Sequence, residues 1–275
     1  MSRLFEALQR FESEQPDAEL TGSGGLTTDL LQPAKCEAGD LGKFQSVSVA
    51  AVPANRMVSL TEKESLGAEK FRFLGVRLRQ LQQTRSIRKL LVTSTIPEEG
   101  KSVVSANLAI TLARKEGVKV LLIEGDLRRP TLAPRFGLGK LLGLSDWLQQ
   151  DSRTADNIYY LEQPGFWLLP GGKPPENPLE LMQAGRLSAL MDQLSDRFDW
   201  VIIDSPPILP LADTSVWMRF ADGILLVTRE GVTEKRQLQR GLQFLDHSRL
   251  LGLVHNGSSD TSRSKYYYYR HDGRE

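Results

Sequence analysis

The stretch from Lys89 to Asn107, KLLVTSTIPEEGKSVVSAN, constrains the fold more tightly than any other part of the chain. An apolar run is followed by a Pro- and Gly-containing break and then by an alanine- and leucine-rich segment. That order reads as a buried strand, a tight loop carrying Gly100-Lys101-Ser102, and the first turns of a helix. Such a loop turns backbone N–H groups and a helix N-terminus toward an anion. Its lysine reaches terminal phosphates and its hydroxyl is ready for Mg²⁺. The usual pattern opens with a glycine five residues before Gly100, where this chain has Thr95. A bare Gly-Lys-Ser/Thr triplet arises by chance in roughly one chain in ten of this length. The setting between strand and helix is what makes Pro97, Glu98, Glu99, Gly100, Lys101, Ser102 and Val103 a nucleotide-binding segment.

Two further apolar runs end in acids. Val118–Ile123 leads into Glu124-Gly125-Asp126, and Trp200–Ile203 leads into Asp204-Ser205-Pro206-Pro207. Continuous apolar strands belong to a parallel sheet buried on both faces, and ligands in such sheets bind beyond the carboxyl ends of the strands. Gly100, Glu124, Asp126 and Asp204 therefore converge. Mg²⁺ takes oxygen ligands and is held by one or two carboxylates plus phosphate oxygens and water. Ser102 and Asp204, with one acid of the Glu124/Asp126 pair, meet that need. A single acid at a strand end could simply cap it; three beside this loop point to a site.

Composition excludes several classes. The net charge of +1 gives no support for a nucleic-acid partner. The lone cysteine, Cys36, permits no intrachain disulfide and suits a reducing compartment. No apolar run approaches the roughly 20 residues of a membrane span. The three histidines, His247, His255 and His271, lack metal-ligand spacing.

The chain divides into four parts. Residues 1–14 hold a short amphipathic helix, Ser2–Ser13, with Leu4, Leu8 and Phe11 on one face. Residues 15–64 read as a flexible linker, with Val47–Val52 extended. Residues 65–256 form the nucleotide-binding domain, and 257–275 a mobile tail. Helices are expected over 65–82, 102–115, 179–195 and 233–247. Strands are expected over 89–94, 118–123, 200–204, 223–228 and 250–255. This alternation gives an α/β fold, a mostly parallel sheet with helices on both faces, of the P-loop NTPase type. The tail carries Tyr266, Tyr267, Tyr268 and Tyr269 in a row. Four adjacent tyrosines cannot all face a core from a helix or a strand. On a nucleotide-binding chain they suggest phosphate acceptors.

With those residues assembled, the chain resembles the bacterial tyrosine autokinases tied to capsule and exopolysaccharide export. TSTIPEEGKS (Thr93–Ser102), LLIEGDLRRP (Leu121–Pro130) and VIIDSPP (Val201–Pro207) correspond to the three nucleotide motifs of that family. PPENPLEL, GILLVTR and the tyrosine-rich tail also match. The resemblance implies an ATP- and Mg²⁺-dependent protein-tyrosine kinase in which Lys101 holds the phosphates, Ser102, Asp126 and Asp204 organise the metal, and Glu124 orients or deprotonates the acceptor. Asn256 is implied as an adenine contact and Arg128 as a phosphate contact or a loop anchor. Glu69 and Arg72 match the family's Glu-x-x-Arg-x-x-Arg oligomerisation pattern, whose third place is Gly75 here; Arg79, one turn on, is the candidate replacement. Glu98 stands in place of a loop glycine, and Glu124 in place of an aspartate. The family further implies a homo-oligomer in the cytoplasm, held at the inner membrane face by a membrane-embedded polysaccharide chain-length or export protein that activates it. Two rival readings are a division-site or partition ATPase switch and a non-catalytic nucleotide-binding scaffold. Phosphorylation of the tail would reverse its charge, and repulsion from Glu98, Glu99 and Glu124 would then expel it.

Overall fold

The computed structural model describes residues 44–49, 55–149 and 154–257. The Ser2–Ser13 segment, Cys36 and the tyrosines at 266–269 lie outside them. An eight-stranded sheet runs through the described residues. In chain order its strands are β1 (Gln45–Val47), β2 (Lys89–Ser94), β3 (Val120–Glu124), β4 (Tyr159–Leu161), β5 (Phe166–Leu169), β6 (Trp200–Asp204), β7 (Gly223–Arg229) and β8 (Leu250–Asn256). Their spatial order is β1-β4-β5-β3-β6-β2-β7-β8. Every neighbouring pair is parallel except the β4–β5 hairpin.

The two-residue period of a strand explains why the central strands read as unbroken apolar runs. Leu90, Val92, Leu122 and Ile202 pack on one face with Leu78 of the helix Leu66–Thr84 and Val104 and Leu108 of the helix Lys101–Ala113. Leu91, Leu121, Ile123 and Ile203 point the other way. There they meet Leu187, Leu190 and Leu194 of the helix Arg186–Arg197 and Trp217 of the helix Asp213–Met218. Each strand thus feeds two cores.

The expected single helix over 179–195 is two helices, Pro178–Gln183 and Arg186–Arg197. The break falls at Gly185, whose φ of +83° is incompatible with continuing a right-handed turn. The helix expected over 233–247 is shorter, Lys235–Gln243, and opens on a capping box formed by Glu234 and Gln237. The stretch read as linker contains β1, paired to β4, and the short helix Val58–Thr61. Ser59 N–H donates to Asn107 Oδ1 at 2.8 Å and Met57 is fully buried, so this segment is fastened to the helix Lys101–Ala113. The β4–β5 hairpin carried no sequence signal, because strands of three and four residues are too short to show a period. Among the described residues no helix is long and apolar enough to cross a membrane.

Candidate active site

The strand order places the site. β6 lies between β2 and β3, and the register sets Asp204 opposite both Val92 and Glu124. Glu124 and Asp204 therefore share the face covered by the helix Lys101–Ala113, directly beneath the loop that starts it.

That loop is held in a demanding conformation. Gly100 has φ +92°, and a Cβ there would lie 2.2 Å from Asn256 Nδ2, so only glycine fits on both counts. Glu98 also adopts the left-handed region, at φ 66°, which costs a non-glycine residue about 1 kcal/mol. The ends of β7 and β8 brace it. Arg229 Nη1 donates to Glu98 O at 3.1 Å, and Asn256 Nδ2 donates to Glu99 O at 2.9 Å. Glu99 is fully buried. Its carboxylate accepts from Ile96 N–H at 2.8 Å and from the Thr233 hydroxyl. Glu99 thus closes the loop upon itself and ties it to the turn after β7. Arg229 and Thr233 were not legible as site residues, because the contact joins positions more than 130 apart in sequence.

Lys101 Nζ donates to Asp126 Oδ2 at 3.0 Å. Burial works against its charge, but Asp204 and Asp126 outweigh that and hold its pKa above the ordinary lysine value. Asp204 is buried, and desolvation pushes its pKa up, opposed by Lys101 and the nearby Ser102 hydroxyl; Ser105 Oγ donates to its Oδ1 at 3.5 Å. Its Oδ2 is buried and has no hydrogen-bond partner. A desolvated, unpartnered carboxylate oxygen beside the Ser102 hydroxyl is a donor set suited to Mg²⁺. Among the described residues no three His, Cys, Asp or Glu side chains are grouped to hold a metal by themselves. The ion would need phosphate and water oxygens to complete its shell, as Mg²⁺ sites commonly do.

Glu124 is clasped rather than open. One oxygen accepts from the N–H groups of Thr131 and, at 2.6 Å, Leu132; the other accepts from Gly171 N–H at 2.8 Å. Desolvation pushes its pKa up to about 7 in spite of those three bonds. A carboxylate offers about four acceptor sites, so one remains. Of the three acids expected to repel a phosphorylated tail, Glu99 and Glu124 are thus buried and hydrogen-bonded, and only Glu98 is exposed. The guanidinium of Arg128 makes a two-pronged pair with buried Asp213, at 2.7 and 3.1 Å. It anchors the loop after β3. Gly125 is required there too, since a Cβ would lie 2.7 Å from the Trp217 ring, and Trp217 Nε1 donates to Gly125 O.

Glu69, Arg72 and Arg79 lie apart from these groups, on the helix Leu66–Thr84. Glu69 and Arg72 pair with each other, and Arg72 Nη1 also donates to Lys63 O at 2.8 Å. Gly75 is buried where this helix meets the next: a Cβ there would lie 3.1 Å from Thr111 Cγ2 and 3.7 Å from Arg79 Nη1. The guanidinium of Arg79 therefore reaches back to the place that Gly75 leaves.

A Gly-Lys-Ser loop under a helix N-terminus, with acids at the ends of the two adjoining strands, defines a P-loop nucleotide-binding protein. No family model matches the chain. It is, however, 35% identical over 215 residues to the tyrosine-protein kinase YwqD of Bacillus subtilis, an alignment covering 78% of this chain and 90% of that one. The fold matches the kinase domain of the Escherichia coli tyrosine kinase ETK with a TM-score of 0.69 and 29% identity, over 73% of this chain and 79% of that one. The septum site-determining protein MinD of Pyrococcus horikoshii, solved with Mg-ADP, is less similar: its TM-score is 0.52, at 25% identity, over 61% of this chain and 68% of that one. The chain belongs to the bacterial tyrosine-protein kinases.

Proposed function

We propose that the chain transfers the γ-phosphoryl group of ATP to tyrosines 266–269 of a neighbouring copy, and that this modification regulates capsule or exopolysaccharide assembly. The observation that carries the reading is the unpartnered, buried Asp204 Oδ2 beside Ser102 and Lys101. A strained loop, an ammonium and an unsatisfied carboxylate meet there, and a nucleotide with Mg²⁺ satisfies all three.

Ser102 and Asp204 would hold the metal, with Asp126 ordering its waters, and the ion would supply neutralisation of charge on the phosphates. Loop amides and Lys101 stabilise charge on the phosphoryl oxygens. The acceptor Oη forms a bond to the γ-phosphorus, the bond from that phosphorus to the bridging oxygen breaks, and ADP leaves. The phenolic proton passes to Glu124, whose pKa near 7 matches a base working at neutral pH. Arg128 positions the loop after β3 through Asp213, and Asn256 braces the phosphate loop in addition to any adenine contact. Glu69, Arg72 and Arg79 form a subunit contact, and Ser2–Ser13 engages a membrane-embedded polysaccharide chain-length or export protein that holds the kinase at the inner membrane face. The partition-switch reading has less support, because Thr93–Ile96 lacks the additional lysine of those proteins and the likeness to MinD is lower.

Mixing two variants tests transfer between copies. Lys101→Met with an intact tail is combined with an active copy whose four tail tyrosines are phenylalanine. Phosphate from ATP·Mg²⁺ on the Lys101→Met copy supports the reading, and none on it, while the parent labels itself, restricts transfer to one chain.

A further inference from the structure

A cavity of about 770 Å³ opens between the segments 130–146 and 170–174, with Glu124 in its wall. No residue of the phosphate loop lines it, and Glu124 is the group that it shares with the site described above. Four prolines, Pro130, Pro134, Pro170 and Pro174, and the exposed Leu142 give it a rigid apolar surface. Two exposed cations, Lys140 and Lys173, complete that surface.

The walls are built, not incidental. Glu124 joins the Thr131–Leu132 backbone to Gly171. Asp146 Oδ2 accepts from Gly143 N–H at 2.8 Å and from Lys173 N–H at 3.3 Å. Leu144 N–H donates to Pro170 O at 2.8 Å and Ser145 N–H to Gly171 O at 3.0 Å. A Cβ on Gly143 would lie 2.2 Å from Pro170 O, and one on Gly172 2.2 Å from Asp146 Oδ2. The two segments are in backbone contact, and a preformed, largely apolar cavity with a few fixed polar groups, here the carboxylates of Glu124 and Asp146, suits a phenol ring.

The chain carries its own candidate occupant. Tyr266 lies nine positions beyond Gly257, an extended reach of up to roughly 30 Å, enough to enter another copy. The cavity carries Lys140 and Lys173 beside the hydrogen-bonded carboxylates Glu124 and Asp146, and the unmodified cluster, flanked by Arg263, Lys265 and Arg270, brings those two lysines no anion. A phosphotyrosine adds about −1.5 to −2 charge and gives the two exposed lysines a group to pair with. Resting on the kinase reading above, we propose that this cavity is the acceptor pocket. It takes the ring of one tyrosine from the 266–269 cluster of a second copy, and Lys140 and Lys173 hold a phosphate already present on an adjacent tyrosine. A singly modified tail is then a better acceptor than an unmodified one, and modification runs on along the cluster.

The test uses the full chain with its four tail tyrosines changed to phenylalanine, and two peptides spanning residues 262–275, one unmodified and one with phosphate on Tyr267. Binding is read by fluorescence anisotropy and transfer by mass spectrometry. The phosphopeptide should bind about fivefold or more tightly at low salt, as two exposed ion pairs supply. Lys140→Glu with Lys173→Glu should abolish that preference. Gly139 also lines the cavity, and a Cβ there meets nothing within 4 Å, so Gly139→Trp should fill the space and weaken both peptides. Affinity for nucleotide is measured on each variant; if Gly139→Trp lowers it as well, the lysine pair alone decides. Equal affinity for the two peptides, or a preference that survives the charge reversal, overturns the proposal. Peptides that bind as expected but receive no phosphate sink the kinase reading and leave the pocket standing. Transfer to both peptides with the same KM does the opposite.

Discussion

The donor side of the site is contiguous in sequence, whereas the acceptor side proposed above is assembled from segments far apart. Thr95–Ser102 forms the phosphate loop in one run, and its neighbours at the ends of β7 and β8 only brace it. The acceptor side joins Glu124, 130–146 and 170–174, and no one of these segments makes a wall alone. The difference teaches where function can be read from order along the chain and where it needs the fold. Anion binding uses consecutive backbone amides, so it writes a local pattern. A ring pocket uses whichever apolar surfaces the sheet brings together, so it writes none.

The largest expected effect concerns the donor side. Lys101→Met should lower transfer by about 10³-fold or more, the scale of losing a main charge-stabilising group. The protein should still unfold in one cooperative transition. Persisting activity would show that the loop is not the phosphate site.

On the acceptor side, Glu124 makes stability depend on pH. Its carboxyl titrates near 7 in the fold against an ordinary 4.5. Between those values the folded chain holds the proton more tightly than the unfolded one. The stabilisation is complete below about pH 4.5 and is lost as the pH rises through 7, ~3 kcal/mol in all. Glu124→Gln cannot titrate. Urea unfolding at pH 5 and pH 8 should show the parent losing more stability than this variant, and equal losses would remove burial as the governing cause.

A smaller effect separates the brace from the loop. Thr233→Val removes the hydroxyl that meets Glu99. Nucleotide affinity should fall about tenfold, near 1.4 kcal/mol, and Thr233→Ser should restore it. Unchanged affinity in the valine variant would make the contact incidental. The smallest change is expected for Glu98→Gly. It relieves the left-handed strain but frees the unfolded chain, for a net gain of about 0.5 kcal/mol in chemical denaturation. A loss instead would mean that the Glu98 side chain contributes.

The central strands, the phosphate loop and the convergence of Asp126 and Asp204 were legible because buried parallel strands are apolar throughout and acids at their ends stand out. Three things were not. Asp213 looks like an ordinary helix-start acid, and only the fold shows it gripping Arg128. The split at Gly185 was hidden by apolar residues continuing on both sides. Glu124 reads as an open catalytic acid from its strand-end position, but three backbone N–H groups from two loops occupy it. Its partners lie up to 47 positions away, beyond any local pattern.

The most direct test of the account is a phosphate map of the purified chain after incubation with ATP·Mg²⁺. The expected result is phosphate on Tyr266–Tyr269 alone, several per chain, and none in the Lys101→Met protein. Bound nucleotide with no phosphate on any tyrosine, or phosphate that persists without Lys101, would contradict it.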